Sequence, residues 1–339
     1  MVRAILILFA LACVVATPAQ AQDPSPHAIE IPAWFSETFL DLREDVRDAA
    51  KDGKRVMIYF GQDGCPYCTR LMQVNFRQQQ TVARMKKGFV AVALNMWGDR
   101  EVTWIDGKAM REKDFARFLK VQFTPTILFF DEKGAVVARL NGYYPPHRLD
   151  AVLDWVGGRM EGRISLAEHL KAAAKEEASV TLHEQAFFMK PPYDLRLPKS
   201  SGRKKPVAVL FETPNCAGCD ELHKESFKRP EVLEQVKRFE LLRLAVGGAE
   251  ELITHAGRKV RAADWARELK VVYTPTIVFF DAAGKEVFRS EAYMRPFHTA
   301  GSFEYVASRA YLKEPSFQRF LQAKAEHMRE RGQRVEIWK

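Results

Sequence analysis

The stretch Phe60-Gly61-Gln62-Asp63-Gly64-Cys65-Pro66-Tyr67-Cys68-Thr69-Arg70 (FGQDGCPYCTR) carries two cysteines three positions apart, directly after an apolar run. Arg55 to Phe60 has strand character, and Gly61 to Gly64 is turn chemistry. Pro66 then stands just inside a helix start, where its missing N–H costs nothing. Leu71, Met72 and Phe76 continue at helical spacing. The spacing predicts strand, turn and helix, with Cys65 at the positive end of the helix, where unpaired N–H groups favour a thiolate. Cys68 falls one turn inside, shielded but within reach of a sulfur bonded to Cys65.

The arrangement occurs twice. Phe211-Glu212-Thr213-Pro214-Asn215-Cys216-Ala217-Gly218-Cys219-Asp220 (FETPNCAGCD) follows a second apolar run, Pro206 to Phe211, with Leu222 and Phe227 behind. Cys65 aligns with Cys216 at an offset of 151, as Lys54 does with Lys205. Further on, KVQFTPTILFFD (Lys120 to Asp131) aligns with KVVYTPTIVFFD (Lys270 to Asp281) at an offset of 150, each followed by a glycine, Gly134 or Gly284. The chain is a tandem duplication. Proline cannot sit centrally in a sheet, so Pro125 and Pro275 mark strand starts.

Five cysteines are present, and Cys13 lies in an apolar leader, Ala4 to Ala16, ending in Ala19-Gln20-Ala21. This pattern predicts a secretory signal over residues 1–21, cut after Ala21. Lipidation at Cys13 competes, but Ala10 stands where a lipobox usually has Leu. Cleavage takes away Arg3 and lowers the formal net charge from +9 to +8. The remaining basic residues are scattered, without the aromatic-lined stripe of a nucleic-acid binder, so no nucleic acid is expected. The mature protein is expected to be soluble and periplasmic.

After cleavage the four remaining cysteines are the two pairs. Closing a two-residue gap constrains the unfolded chain little, so the pairs are poor staples. Covalent haem attachment needs His after the second cysteine, and Thr69 and Asp220 stand there. Zinc needs four ligands, which the pairs supply only by sharing one ion between the copies; His223 beside one pair falls short. A dithiol–disulfide redox site needs the strand, turn and helix start that the sequence provides, with no metal and no cofactor beyond the cysteines themselves.

A strand, C-x-x-C at a helix start and Thr-Pro before a Phe-rich hairpin together resemble the thioredoxin fold. The fold class expected is therefore α/β: two tandem thioredoxin-like domains, each a central mixed sheet flanked by helices. The first copy, through FGQDGCPYC, Asn95 to Val102 and Gly142-Tyr143-Tyr144-Pro145-Pro146, resembles the exported thioredoxin-like proteins associated with sulfur oxidation, the SoxW type. The resemblance implies thiol–disulfide exchange at Cys65 and Cys68, and at Cys216 and Cys219. It also implies cis-prolines at Pro125 and Pro275, with Thr124 and Thr274 beside them in the substrate-binding loops. Pro66, Tyr67, Ala217 and Gly218 are the active-site dipeptides. Each half should present an accessible sulfur facing its proline. The substrates implied are disulfide-bearing proteins or small thiols, with a membrane thiol–disulfide protein as electron donor.

Two departures stand out. Thioredoxins place a buried Asp six residues before the first cysteine; Tyr59 and Leu210 hold those positions here. Glu212 is a substitute proton carrier in the second copy alone. The acidic neighbours Glu212, Asp220 and Glu221 should disfavour the Cys216 thiolate, making the second pair the more reducing and a source of electrons for the first. A redox-inactive binding role for the second copy is the alternative reading.

The organisation expected is a first domain over 30–162, a helical and extended linker over 163–204, a second domain over 205–320 and a basic tail over 321–339. An opening amphipathic helix is expected to bury Phe39, Leu42 and Val46. Each copy also carries an extra segment before Thr-Pro, Trp97 to Lys120 and Gly247 to Lys270, that either covers the site or pads the core.

Overall fold

The computed structural model describes residues 28–173, 178–196 and 205–335. The expected leader and the Lys199–Gly202 part of the connection lie outside them. The first copy opens with α1 (Leu42–Lys51) and β1 (Arg55–Gly61), then α2 (Pro66–Arg70), a π-helical turn to Asn75, α3 (Gln79–Gly88) and β2 (Phe89–Asn95). The short strands β3 (Glu101–Thr103) and β4 (Ala109–Arg111), α4 (Glu112–Phe118), the hairpin β5 (Thr126–Phe130) and β6 (Val136–Asn141), and the helices α5 (Pro146–Gly157) and α6 (Leu166–Ala172) complete it.

The sheet order is β2-β1-β5-β6, with β1 parallel to β2 and antiparallel to β5. Every residue of β1 is buried, which is why it reads as a continuous apolar run rather than an alternating one. Val56, Ile58 and Phe60 pack against α1 and α4. Met57 and Tyr59 face the opposite way, towards the helical turn behind Cys65 and towards α5. Arg55, 3% exposed, donates to Glu132 at 3.0 Å, to Glu161 at 2.5 Å and to the Val156 carbonyl at 2.8 Å. It ties the strand entrance to the hairpin and to the end of α5, and holds the Glu132 carboxyl down at about 2.

From β8 the second copy repeats this order, with the short strand β7 standing where the first copy has α1. It comprises β7 (Tyr193–Asp194), β8 (Val207–Glu212), α7 (Ala217–Glu221), a π-helical turn to Ser226, α8 (Pro230–Val236), β9 (Glu240–Ala245), β10 (Glu251–Ile253) and β11 (Lys259–Arg261). Then come α9 (Ala262–Glu268), β12 (Thr276–Phe280), β13 (Glu286–Glu291), α10 (Pro296–Ala307) and α11 (Phe317–Glu330). Its sheet, β13-β12-β8-β9, has the same pairing sense as the first. The inserted segments pad the core: Phe115 and Trp265 are buried against the outer face of each sheet. The hairpin glycines Gly134 and Gly284 take φ of +82° and +77°, which a Cβ would strain.

Three features depart from the sequence reading. Phe39 is 99% exposed and lies outside the helix, because Asp41 caps it by accepting from the Arg43 and Glu44 amides. Part of the expected connection belongs to the second domain: Phe188 bridges to Leu241, β7 pairs with β10, and Leu195 is fully buried. The start of the expected tail is core as well. Phe317, Leu321 and Ala325 are buried, and α11 packs against α10, with Leu321 over Gly301 where a Cβ would collide.

In α1, burial pushes the Asp45 carboxyl up to about 6 against the bond it accepts from Thr38, with Asp41, Asp48 and Glu44 adding repulsion. A raised carboxyl stabilises the fold least once it ionises. Stability should therefore fall as pH rises from about 4 to about 6 on this group's account. Asp45→Asn should raise the melting temperature at pH 7 and leave it unchanged at pH 4; a gain that is equal at both values would refute the assignment.

The copies meet about a pseudo-two-fold axis, and equivalent residues cross it. Phe123 packs among Phe288 and Phe317 of the second domain, at 5.8 and 5.6 Å between ring centroids. Its counterpart Tyr273 packs on Tyr144 of the first, at 5.7 Å. Asn141 donates to Glu291, its own equivalent at an offset of 150. The two Thr-Pro loops thus lie against each other's domains, as in an isologous interface.

Candidate active site

Each C-x-x-C pair stands at a helix start. Cys65 is the extended N-cap of α2, and its Sγ accepts the Cys68 amide at 3.1 Å. Cys216 does the same for α7, accepting the Cys219 amide at 3.1 Å. Both pairs are closed as disulfides, with Cα atoms 5.2 Å apart. An N–H aimed at the first sulfur stabilises the thiolate released when such a disulfide opens.

The Thr-Pro loops come in from β5 and β12. The Thr124–Pro125 and Thr274–Pro275 bonds are both cis. The third residue of each Thr-Pro-Thr locks its loop: Thr126 Oγ1 donates to the Phe123 carbonyl and Thr276 Oγ1 to that of Tyr273, both at 2.7 Å. This brings the Thr124 carbonyl oxygen to 3.4 Å from Cys65 Sγ. In the second site a Cβ on Gly218 would stand 3.2 Å from Pro275 Cδ and 3.4 Å from Tyr293 Cβ. Side chain at this dipeptide position is thus limited by the proline it passes.

The structure therefore assembles Cys65, Cys68, Thr124 and Pro125 in one site, and Cys216, Cys219, Gly218, Thr274 and Pro275 in the other. Pro66 and Ala217 hold the first helical positions. Tyr67 turns to the second copy: its hydroxyl accepts the Arg295 amide at 3.3 Å, and its ring meets His298 edge-on at 5.1 Å. Burial pushes the Tyr67 phenol up and the His298 imidazole down to about 4, so both are neutral at neutral pH. Accessible leading sulfurs were expected; instead Cys65 and Cys216 are each 4% exposed. The Thr-Pro loops and the neighbouring domain or connection close over them.

Behind the cysteines the copies differ. Tyr59 leans along β1 over Gly61, where a Cβ would collide with its hydroxyl. The second copy has Leu210 and Glu212 at these positions, so the phenol oxygen of one copy and the carboxylate stem of the other occupy corresponding space. Glu212, wholly buried, accepts from His223 Nε2 at 2.9 Å. Gln185 Nε2 lies 3.0 Å from His223 Nδ1, which fixes the ring hydrogen on Nε2. Glu212 Oε2 has no partner, and neither does the Tyr59 hydroxyl.

Asp220 also has partners. Burial works against its charge, but His183 at 2.6 Å, Lys224 at 3.1 Å and the Ser179 amide outweigh burial and lower its pKa. The acidic field expected at Cys216 is thus partly neutralised. These contacts also draw the connection over the second site, where Ser179 accepts the Asn215 amide at 2.8 Å.

The sequence alone assigns no site role to Gln62, Trp97 or Gln318. Gln62 donates to Thr124 Oγ1 and to Gln318 Oε1, both at 3.0 Å, and accepts from Trp97 Nε1 at 2.6 Å. Its place just ahead of Cys65 was the available signal; Gln318, 256 residues away in sequence, offered none.

Residues 42–157 and 193–307 each match the thioredoxin-like domain family. No curated protein matches the chain. Among solved structures, it is similar to a thioredoxin-fold protein from Helicobacter pylori, at 27% identity over 40% of this chain and 93% of that one, with a TM-score of 0.33. It is also similar to a thioredoxin from Thermus thermophilus, at 25% identity over 36% and 90% of the two chains, with a TM-score of 0.29. A disulphide isomerase from Xylella fastidiosa is similar at 16% identity over 44% and 98%, with a TM-score of 0.26. The two matched segments make up most of the sequence and each retains its cysteine pair, so the chain belongs to the thioredoxin-like family as a tandem member and is a thiol–disulfide oxidoreductase.

Proposed function

We propose that the protein works in the periplasm as a reductase of protein or small-thiol disulfides, through Cys65 and Cys68 in the first domain and Cys216 and Cys219 in the second. The observation that carries this reading is the same construction made twice. In each copy a cysteine at a helix start receives the N–H of its partner cysteine, beside a cis-proline loop. Cys65 attacks a substrate sulfur, and Cys68 resolves the mixed disulfide from one helical turn away. Thr124, Pro125, Thr274 and Pro275 form the loops on which substrate rests, and Pro66, Tyr67, Ala217 and Gly218 tune the pairs.

The leader-like sequence over 1–21 supports export, and the first copy's motifs support kinship with the SoxW type. No helix among the described residues is long and apolar enough to cross a membrane. An oxidising compartment demands a supply of electrons, which a membrane thiol–disulfide protein would provide. The chemistry runs on the cysteines themselves, without a metal or cofactor. Domain boundaries at 30–162 and 205–320 are proposed, with 188–195 and α11 added to the second unit on their packing.

The test is catalysis of insulin and cystine reduction by the purified chain with dithiothreitol as the electron source. Acceleration over dithiothreitol alone is expected for at least one of the two. A rate equal to dithiothreitol alone for both would overturn the reading and leave a binding role.

A further inference from the structure

We infer that the second domain makes the first site selective for the disulfides of small thiols, and that Gln318, Arg319 and His298 are the residues that set this selectivity. The inference rests on the reductase reading above and names its substrate class.

A folded protein reaching Cys65 must lay its chain along the Thr124–Pro125 loop and over the Pro66-Tyr67 dipeptide. The second domain occupies both approaches. On the loop side, Gln318 Nε2 donates to the Gln122 carbonyl at 3.0 Å, and Gln122 Oε1 accepts the Phe317 amide at 3.1 Å. Gln318 Oε1 takes Gln62 Nε2, which also holds Thr124 Oγ1. Arg319 lies over the Trp97 ring at 4.9 Å and closes the outer edge. On the dipeptide side, Tyr67 is held by the Arg295 amide and His298. Thr124 is left 5% exposed and Cys65 4%.

All of these contacts except the Gln62–Thr124 bond cross between the copies. The pseudo-two-fold pairing of Phe123 and Tyr273 makes the closed arrangement the packed one, since parting the domains would expose both rings. With Cys65 4% and Thr124 5% exposed, a folded protein's chain has no room to lie along the loop, which leaves a disulfide with few atoms beyond its sulfurs, such as cystine, as the one able to approach.

The exchange balances within the pair and the substrate. The Cys65 thiolate attacks one sulfur of RSSR; the Cys65–SR bond forms and RS⁻ leaves. The Cys68 thiolate then attacks Cys65 Sγ, releasing the second RS⁻ and closing the Cys65–Cys68 disulfide. The two protons from the pair go to the two RS⁻ groups, so RSSR gains two electrons and becomes two RSH. An external dithiol reduces the pair again.

The test uses the full chain with Cys216→Ser and Cys219→Ser, so that the first site alone reports. The reduced protein is mixed with cystine or with insulin, with and without Gln318→Ala, Arg319→Ala and His298→Ala. Opening should raise the insulin rate about tenfold, the weight of one to two such contacts. The cystine rate should change less than about twofold, well below that tenfold step. Amide hydrogen exchange at Phe123 and Thr124 should quicken in the same variant. An insulin rate that does not rise, with exchange changed or unchanged, overturns the inference, as does an equal rise for both substrates. Failure of both substrates to oxidise the protein in either form would instead overturn the underlying reductase reading, and the inference with it.

Discussion

Cys65→Ser should abolish exchange at the first site and leave the second working at its own rate. Serine keeps the size and the helix start, and its oxygen still accepts the Cys68 amide. It supplies neither a thiolate near neutral pH nor a bond that Cys68 can attack. Insulin reduction by the single variant therefore measures the second site. Cys65→Ser with Cys216→Ser should fall to the rate of dithiothreitol alone. Cys68→Ala acts at the other step: Cys65 still attacks but is not displaced, so with cystine the mixed disulfide accumulates and the intact mass of the protein rises by one half-cystine. A first site that keeps its rate in Cys65→Ser, or Cys68→Ala that traps nothing, would remove Cys65 from its role. The pairing of results matters because each half carries a complete set of groups.

Much of this was legible in the sequence because it is local. Strand, turn and helix around Cys65 follow from a short apolar run, two glycines and Pro66, and duplication supplied a second witness for each element. The Thr-Pro-Thr strings marked strand starts correctly, and the structure adds a reason for the last Thr, which donates back to the loop. The interface was not legible. Phe123 and Tyr273 stand at equivalent positions just before Thr-Pro, and nothing in the one-dimensional pattern says that each packs on the other domain. Phe39 departs for a related reason: its spacing from Leu42 is helical, but Asp41 caps the helix after it. The Glu212–His223 bond is not legible either: the sequence marks Glu212 as a proton carrier and His223 as a metal ligand that falls short. Local sequence places them near the same cysteines but cannot show that they bind each other, nor that Gln185 arrives from the connection to fix the ring.

That buried bond gives the second large expectation. His223→Met, which installs the residue found at the matching place in the first copy (Met72), leaves Glu212 buried with neither oxygen partnered. The loss should exceed about 3 kcal/mol, the upper end for a neutral buried group left without its hydrogen bond, because a stranded carboxylate costs more than a neutral group. Glu212→Leu strands a neutral ring N–H instead and should cost less, about 1–3 kcal/mol. The double variant removes both polar groups from beside Phe188 and Phe227, which lie 5.9 and 5.3 Å from the imidazole by ring centroid, and leaves only the part-buried Gln185 amide without its ring acceptor. Its loss should therefore fall well short of the sum of the single losses, a coupling of contacting residues rather than additive behaviour. Hydrogen exchange of the β8 amides reads this in the second domain without interference from the first. The same carboxylate bears on redox poise. Taking its negative charge away favours the Cys216 thiolate, which stabilises the reduced pair and moves Cys216–Cys219 towards the oxidising side, while Cys65–Cys68 stays where it was. Additive stability losses would deny the coupling. A second-pair potential unmoved by Glu212→Leu would show that Glu212 serves the core of this copy and not its chemistry.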